Sequence, residues 1–385
     1  MIESLRRLAL QHQGLMTPSS FGSGLSATHQ AIEHLGYVQI DTISVIERAH
    51  HHILWSRVAD YDQNHLNLLV QQKQIFEYWY HAASYLPIQD YRFALLRMEK
   101  VRDGKHRYFN SGDQRLMNEI LIRAKAEGKI RLRDIDKENK KNTGGWWNSS
   151  LARRSVDQLF MQGDLMISER IGMEKVYSLT ESCLPDRLDL RKPSLDEYAL
   201  YLLNTTLRAH GVFTLKQLLH LKTGKDIREA MQKALNQYLE EGLITNLTNI
   251  DGQNYYVNST SLNQTLVPVA KVKILSPFDN LVIHRDRLNS LFKFDYKIEC
   301  YVTEPKRIYG YFCLPILYGD QLVGRIDCKA HRTKKVFEIL SLHLENNIVD
   351  QRHFFELLKT EIQKFSEFNQ CPILHENTLT ILNKS

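Results

Sequence analysis

The residues best suited to chemistry in this sequence stand near its start, in the run 36–43. Here the polar Gln39 and Asp41 alternate with the apolar Val38 and Ile40. On an extended strand, residues two apart share a face, so the amide and the carboxylate would point the same way, with their backbones about 6 to 7 Å apart. Such a pair could hold one water molecule. The alternative is a half-buried strand whose polar face is only solvated, and the spacing alone leaves both interpretations open.

A cluster of histidines and arginines follows directly in the sequence. Three consecutive histidines, His50, His51 and His52, lie between Arg48 and Arg57. Neighbouring residues on a helix point about 100° apart, so the three imidazoles cannot converge on one metal ion without further ligands. No His-Glu-x-x-His motif accompanies them. We therefore predict no metal site here, and expect these five side chains to contact phosphate groups or line a substrate pocket.

Two adjacent tryptophans mark a second candidate binding element. Trp146 and Trp147 follow two glycines and precede a predicted helix that carries Arg153 and Arg154. Exposed indole rings can stack on nucleic-acid bases, and the arginines can bind the adjoining phosphates. The alternative is that the tryptophans anchor the packing of one domain on another. We expect Trp146, Trp147 and Arg153 to contribute to nucleic-acid binding.

The last third of the chain carries a surplus of arginines. Arg285, Arg287 and Arg325 are the ones that we single out, and aspartates are interleaved with them. One interpretation is that these arginines form ion pairs within the fold. The other is that the surplus lines a groove for the phosphates of a nucleic acid, which fits the DNA-binding modules described next. We predict that these three arginines contact DNA.

The elements that must position these residues follow a repeated order of helices and strands. The clearest copy spans residues 194–257, with helices predicted over 196–209, 215–221 and 227–239 and short strands over 243–246 and 255–257. Ser194 and Thr214 are suitable helix caps, while Gly211 and Gly242 are suitable helix ends. Three helices followed by a two-stranded hairpin form a winged helix.

Two further copies of this order precede it. One spans about 114–179, with a helix over 149–161 and a hairpin formed by 165–168 and 175–178. A divergent copy lies within 4–62, with helices over 4–11 and 26–35 and an extended run over 37–43. The copies share a pattern of elements rather than residues, so the repetition is one of architecture.

The composition changes to β-rich after residue 268. Strands are predicted over 298–302, 309–314 and 322–326, and a helix over 350–365. The predicted fold class is therefore α+β, with tandem winged-helix (helix-turn-helix) domains and a C-terminal β-rich domain. The predicted domain boundaries are 1–112, which holds the candidate catalytic pair, 113–192, 193–266, 267–349 and a helical tail over 350–385.

Composition excludes several classes of protein. The 385 residues are 43% hydrophobic and 24% charged, with a net charge of +6, which is typical of a globular enzyme. No stretch is apolar enough to span a membrane, and the first ten residues lack the apolar core of a secretory signal. The five cysteines form no Cys-x-x-Cys pair, and no glycine-rich phosphate loop is present. We expect a cytoplasmic, nucleoid-associated protein without a cofactor.

Several of these runs, taken together, resemble the AlkZ/YcaQ winged-helix DNA glycosylases. The runs that carry the resemblance are 39–41, 48–52, 54–57, 76–84, 145–148, 276–281 and 322–327. The similarity covers nearly the whole chain, although the stretch beyond about residue 350 contains nothing similar. Such a combination is far more specific than any single motif. It favours the catalytic interpretation of Gln39 and Asp41 over that of a solvated strand face.

The resemblance implies tandem winged helices around a basic channel, a C-terminal β domain and hydrolysis of the N-glycosidic bond of N-alkylated purines. The catalytic motif of the family is Gln, an apolar residue, then Gln or Asp, and here the third position is Asp41. The chain therefore is similar to the YcaQ branch, which is associated with unhooking DNA interstrand crosslinks. The implied partner is double-stranded DNA containing alkylated or crosslinked bases.

The chemistry of the reaction fits the residues. An N7-alkylated guanine is cationic and leaves as a neutral base, so one carboxylate suffices without a general acid. We predict a monofunctional, monomeric glycosylase. Two other classes stay open: a non-catalytic winged-helix DNA-binding regulator, and an RNA-associated structural module.

Overall fold

The computed structural model describes residues 1–17, 19–139, 151–250, 252–262 and 264–383. The chain forms two compact units, one comprising Met1–Tyr61 with Ala199–Ser385 and the other Asp62–Tyr198. Helices alternate with small, mainly antiparallel sheets, which confirms the predicted α+β class. Within the described ranges, no helix is long and apolar enough to cross a membrane.

The N-terminal part of the larger unit is mainly helical. It contains α1 (Ile2–His12), α2 (Gly24–Leu35), the two-residue strand β1 (Val38–Gln39) and α3 (Ala49–Trp55). The helices predicted over 4–11 and 26–35 are confirmed, each with slightly wider bounds. The extended run predicted over 37–43 is a regular strand only at Val38–Gln39, and this difference matters for the candidate site.

The smaller unit contains a complete winged helix. Its elements are α4 (Asn64–Gln71), β2 (Ile75–Trp79), β3 (Ala83–Pro87), α5 (Tyr91–Arg102), α6 (Gln114–Glu127), β4 (Ile130–Arg131), α7 (Leu132–Asn139), α8 (Leu151–Met161), β5 (Leu165–Ile171), β6 (Glu174–Leu179) and α9 (Thr180–Cys183). The Asp113 carboxylate caps α6 by accepting the Leu116 N–H at 2.8 Å. Strands β4, β6 and β5 form one sheet in that order, so the predicted hairpin is confirmed.

A second winged helix with the same order of elements follows. It comprises α10 (Leu195–His210), β7 (Val212–Phe213), α11 (Leu215–Leu218), α12 (Lys225–Glu240), β8 (Ile244–Ile250) and β9 (Gln253–Asn258). Ser194 and Glu197 exchange side-chain and backbone hydrogen bonds, which is the capping box that starts α10. Thr214 accepts the Gln217 N–H and caps α11. The helices and the hairpin predicted for this stretch are confirmed, except that the helix predicted over 215–221 ends at Leu218.

The C-terminal part of the larger unit is a five-stranded sheet with helices packed on it. Its elements are β10 (Val272–Ile274), α13 (Arg285–Phe292), β11 (Leu314–Tyr318), β12 (Gln321–His331), β13 (Val336–Leu344), α14 (Gln351–Phe368), β14 (Ile373–Leu374) and α15 (Glu376–Asn383). The strands lie in chain order, antiparallel except that β14 runs parallel to β13. Phe354, Leu358, Ile362 and Phe365 of α14 are fully buried, which confirms the predicted helix and its apolar face.

The strands predicted over 298–302 and 309–314 are wrong, except that Leu314 begins β11. The Glu299 carboxylate accepts the backbone N–H groups of Ile308, Tyr309 and Gly310 at 2.8 to 3.1 Å. The Asp327 carboxylate accepts the next N–H, from Tyr311, at 2.7 Å. These backbone N–H groups donate to carboxylates and not to a neighbouring strand. The segment therefore forms a loop.

Candidate active site

A glycine and a short strand place the candidate catalytic pair. Gly36 ends α2 in the left-handed region, with φ at 78°, where a side chain would also overlap Thr205. The chain then extends through β1, and Gln39 is 7% exposed. The strand ends after Gln39. The alternation of side chains along a strand therefore does not set the direction of the Asp41 side chain. Its carboxylate instead accepts the Ile43 N–H at 2.7 Å, in a turn closed by the side chain.

The Asp41 carboxylate is half-buried. Burial raises its pKa, while hydrogen bonds from the Ile43 and Thr42 backbone N–H groups oppose the rise. Two side chains of the loop before β11, Cys300 and Tyr301, lie within electrostatic range of Asp41. Burial raises the pKa of Cys300, and the charge of Asp41 raises it further. A half-exposed carboxylate with a raised pKa is suited to accept a proton from water.

The three histidines of α3 differ in their surroundings. His52 is completely buried, its Nε2 lies 2.8 Å from the Ile274 carbonyl oxygen, and burial lowers its pKa to about 4. His50 is 2% exposed. His51 is partly exposed, and its Nδ1 lies 2.8 Å from the Tyr61 hydroxyl. The burial of His50 and His52 is contrary to the prediction that they contact phosphate groups of DNA.

Arg57 is a buried structural residue. Its guanidinium forms two hydrogen bonds with the Asp279 carboxylate, at 2.7 and 2.8 Å, and both side chains are fully buried. It also donates to the backbone carbonyls of Gln13 and Ile53. The prediction that Arg57 contacts DNA is therefore corrected: the residue joins α1, α3 and the loop before α13.

The three C-terminal arginines also serve mainly the interior. Arg287 is 4% exposed, donates to the Leu281 carbonyl at 3.1 Å and lies 2.7 Å from His210 Nδ1. Arg325 is 3% exposed, with its guanidinium 4.0 Å from the centre of the Tyr309 ring. Burial of both contradicts the prediction that they contact DNA.

Arg285 is only partly buried and stays a candidate for DNA contact. Its guanidinium donates to the Pro277 carbonyl at 2.9 Å and covers the Tyr296 ring at 4.6 Å. Both contacts hold the side chain against the C-terminal part of the larger unit.

Two of the predicted arginines retain clear access to solvent. The Arg48 side chain is 31% exposed and lies 3.7 Å from Glu47, immediately before α3. The Arg153 side chain is 63% exposed on α8 and lies 3.8 Å from Asp157. Trp146 and Trp147 lie outside the described residues. Among the described residues, no group of three or more His, Cys, Asp and Glu side chains is arranged to hold a metal ion.

Sequence reasoning missed Tyr301 beside the candidate site, and it noted Arg332 only as one of many basic residues. Tyr301, whose pKa reflects the charge of Asp41, is 78% exposed. Arg332 donates to the Ser44 carbonyl at 2.7 Å and lies 3.7 Å from Glu47. No local motif identifies either residue, because the fold brings them to the segment after β1 from the C-terminal sheet and the loop before it.

Comparison with known proteins places this architecture in a family. A sequence model described as DNA glycosylase AlkZ-like matches residues 32–368. The solved structure of Streptomyces sahachiroi DNA glycosylase AlkZ is similar in fold, with a TM-score of 0.61 over 97% of each chain at 13% sequence identity. At that identity the structural likeness shows the fold alone, whereas the family match spans most of the sequence. The chain therefore belongs to the AlkZ-like family of DNA glycosylases.

Proposed function

We propose that this glycosylase hydrolyses the N-glycosidic bond of N7-alkylated purines in double-stranded DNA, with Asp41 as the catalytic carboxylate and Gln39 as the residue that positions water. The observation that carries the proposal is the contrast within this pair. Gln39 is buried at the end of β1, whereas Asp41, two residues later, is fixed by the Ile43 N–H and keeps access to solvent. One residue can hold a water molecule and the other can face the sugar.

The reaction needs no general acid. Cleavage of a bond between sugar and base passes through a transition state with positive charge at the anomeric carbon. A carboxylate beside that carbon stabilises the charge and accepts a proton as water attacks. The alkylated purine carries a positive charge before cleavage and departs as a neutral base, so it needs no proton. Asp41 alone therefore supplies the charge that the reaction requires.

We further propose that the substrates include interstrand crosslinks between guanine N7 atoms. A base tied to the opposite strand cannot rotate into a closed pocket, so the enzyme must reach the sugar within a largely intact duplex. The partial exposure of Asp41 and of the neighbouring Tyr301 is compatible with such an open approach. Water as nucleophile also implies a monofunctional enzyme that leaves an intact abasic site.

The test is release of free base from three duplexes that carry N7-methylguanine, 1,N6-ethenoadenine or a defined crosslink between two guanine N7 atoms. We expect release of N7-methylguanine and unhooking of the crosslink, but little removal of the uncharged etheno base. Efficient removal of the etheno base would contradict the argument that no general acid is needed. Release of N7-methylguanine without unhooking would contradict the open approach alone. Binding without any release would support a non-catalytic DNA-binding regulator.

Borohydride trapping tests the proposed nucleophile separately. A reaction in which water attacks the sugar forms no covalent link between protein and DNA, so borohydride should yield no adduct. A trapped adduct would instead identify a lysine that attacks the sugar as a Schiff base.

A further inference from the structure

The loop before β11 is closed on itself by side-chain and backbone contacts. The Glu299 carboxylate accepts the Ile308 N–H at 3.0 Å, and the Glu299 carbonyl accepts the Val302 N–H at 2.9 Å. The Arg307 guanidinium donates to the Val302 carbonyl, also at 2.9 Å. These contacts hold the two ends and the middle of residues 299–308 together. The loop therefore presents its outward side chains in a fixed arrangement, which reduces the entropy lost when they bind a partner.

Two large apolar side chains of this loop face solvent. Tyr301 is 78% exposed and Ile308 is 75% exposed. Isolated apolar residues are common on protein surfaces, so exposure by itself indicates no function. The Tyr301 ring is nevertheless a flat apolar face of the kind that stacks on nucleic-acid bases. Its location decides whether it can meet DNA.

The loop lies beside the segment that carries Asp41. Ile43 of that segment and Ile298 and Cys300 of the loop pack against the same hydrophobic core. Tyr301, the next residue after Cys300, lies within electrostatic range of Asp41. That range is roughly 10 Å and bases along a DNA strand are about 3.4 Å apart, so the Tyr301 ring is within about three bases of a sugar held at Asp41.

Access to that sugar is the physical requirement of the open approach. In a stacked duplex the neighbouring base lies about 3.4 Å from the target base, which leaves little room at the anomeric carbon for a carboxylate and a water molecule. A side chain inserted between two bases unstacks them and opens the duplex at that step. Insertion leaves a crosslinked base attached to the opposite strand, whereas rotation into a closed pocket requires that base to be free.

We propose that the Tyr301 ring inserts into the base stack next to the target nucleotide and stacks on the adjacent base, which positions the sugar at Asp41. Tyr301 is a positioning residue, because its ring holds the DNA and takes no part in breaking the bond. This inference rests on the glycosylase reaction proposed above, and it adds the means by which the sugar is reached in a duplex.

Single-turnover release of N7-methylguanine by the full chain measures the positioning. Tyr301→Ala should lower the rate at saturating enzyme by about 5- to 150-fold, the range expected for loss of stacking on one base. Its thermal stability should stay near wild type, because the side chain is exposed. Tyr301→Phe keeps the ring and should release base at close to the wild-type rate. Tyr108→Ala removes the ring of another exposed tyrosine and should also be close to wild type.

A fluorescence assay that needs no bond cleavage reports the stacking itself. The probe is a duplex that contains tetrahydrofuran, a stable analogue of an abasic site, with 2-aminopurine either beside it or at a distant position. Binding of the wild type or of Tyr301→Phe should change the fluorescence of the adjacent 2-aminopurine and leave that of the distant one unaltered. Tyr301→Ala should bind the duplex without this change.

Three results would overturn the proposal. The first is equal base release by Tyr301→Ala and the wild type, and the second is an unaltered fluorescence change with Tyr301→Ala. The third is a Tyr301→Phe variant as impaired as Tyr301→Ala, because the hydroxyl group and not the ring would then be responsible. Failure of the wild type to release any base would instead contradict the proposed reaction, and the tetrahydrofuran duplex would still test the insertion.

Discussion

Two polar pairs in the larger unit differ in how completely the fold encloses them. The Arg57 and Asp279 side chains are fully buried, and Asp279 also accepts the Leu281 N–H at 2.8 Å. In the other pair, Gln39 is buried but Asp41 keeps access to solvent. An enclosed carboxylate that is saturated with donors has no room for a substrate. The comparison therefore separates a carboxylate that maintains the architecture from one that can do chemistry.

The two carboxylates also differ in their electrostatic surroundings. Asp279 faces the Arg57 guanidinium directly, at 2.7 Å. The pKa of Asp41 is instead governed by burial, which raises it, and by the Ile43 and Thr42 backbone N–H groups, which lower it. A partly desolvated carboxylate accepts a proton more readily than one in water. Asp41 is therefore suited to accept a proton, whereas Asp279 is occupied by its ion pair with Arg57.

The largest expected effect is on stability. Arg57→Met leaves the Asp279 charge buried without a partner, which should lower the free energy of unfolding by about 3 to 5 kcal/mol. Denaturant unfolding monitored by circular dichroism measures this. The double variant Arg57→Met with Asp279→Leu removes both charges and should recover part of the loss. A loss below about 1 kcal/mol in the single variant would show that the buried pair is not a main structural contact.

Asp41→Asn should affect base release and leave stability unchanged, the opposite of Arg57→Met. The substitution removes the charge with little change in volume, so base release should fall by on the order of 10²-fold or more while stability and DNA affinity stay near wild type. Single-turnover release of N7-methylguanine measures this. Asp186→Asn, at an exposed position, is the matched control and should be fully active. Near-normal turnover by the Asp41 variant would exclude Asp41 as the catalytic carboxylate, and Gln39→Ala should be impaired by less.

The pH dependence of base release should reflect Asp41. The reaction requires the ionised carboxylate, so the rate should be constant at neutral pH and fall up to tenfold per unit as pH drops through the pKa of Asp41. Because burial raises that pKa, the fall should begin at a higher pH than for an exposed aspartate. A pH–rate profile under single-turnover conditions tests this. The residual activity of Asp41→Asn should not fall at acidic pH. If it falls over the same pH range as the activity of the wild type, the ionisation belongs to a group other than Asp41.

The smallest expected effects are those of the exposed arginines. Arg48→Ala and Arg153→Ala should weaken DNA binding similarly for all sequences, and each should reduce the slope of log affinity against log salt by about 1. Neither should match the stability loss of Arg57→Met. Affinity measured by fluorescence anisotropy at several salt concentrations tests this. An unchanged slope in both variants would place the phosphate contacts elsewhere on the protein.

Much of the fold could be predicted because its signals are local. Helix caps such as Ser194, and the apolar period of α14, depend on residues three or four positions apart. The loop before β11 was mispredicted because its β-favouring residues satisfy a strand pattern. Glu299 and Asp327 nevertheless bind its backbone N–H groups across 9 to 16 positions. No pattern of hydrophobic residues shows such contacts in advance.

The sequence by itself determined the order of helices and strands in the winged helices and the candidate pair Gln39 and Asp41. It also determined that arginines are plentiful, but their roles depend on burial. Arg57 meets Asp279 across 222 positions, and the fold encloses both, whereas Arg153 stays on a helix surface. The free energy of a charged side chain depends on its distance from water and from its counter-ion. Both distances exist only after the chain has folded, so only the tertiary structure decided which arginines could meet DNA.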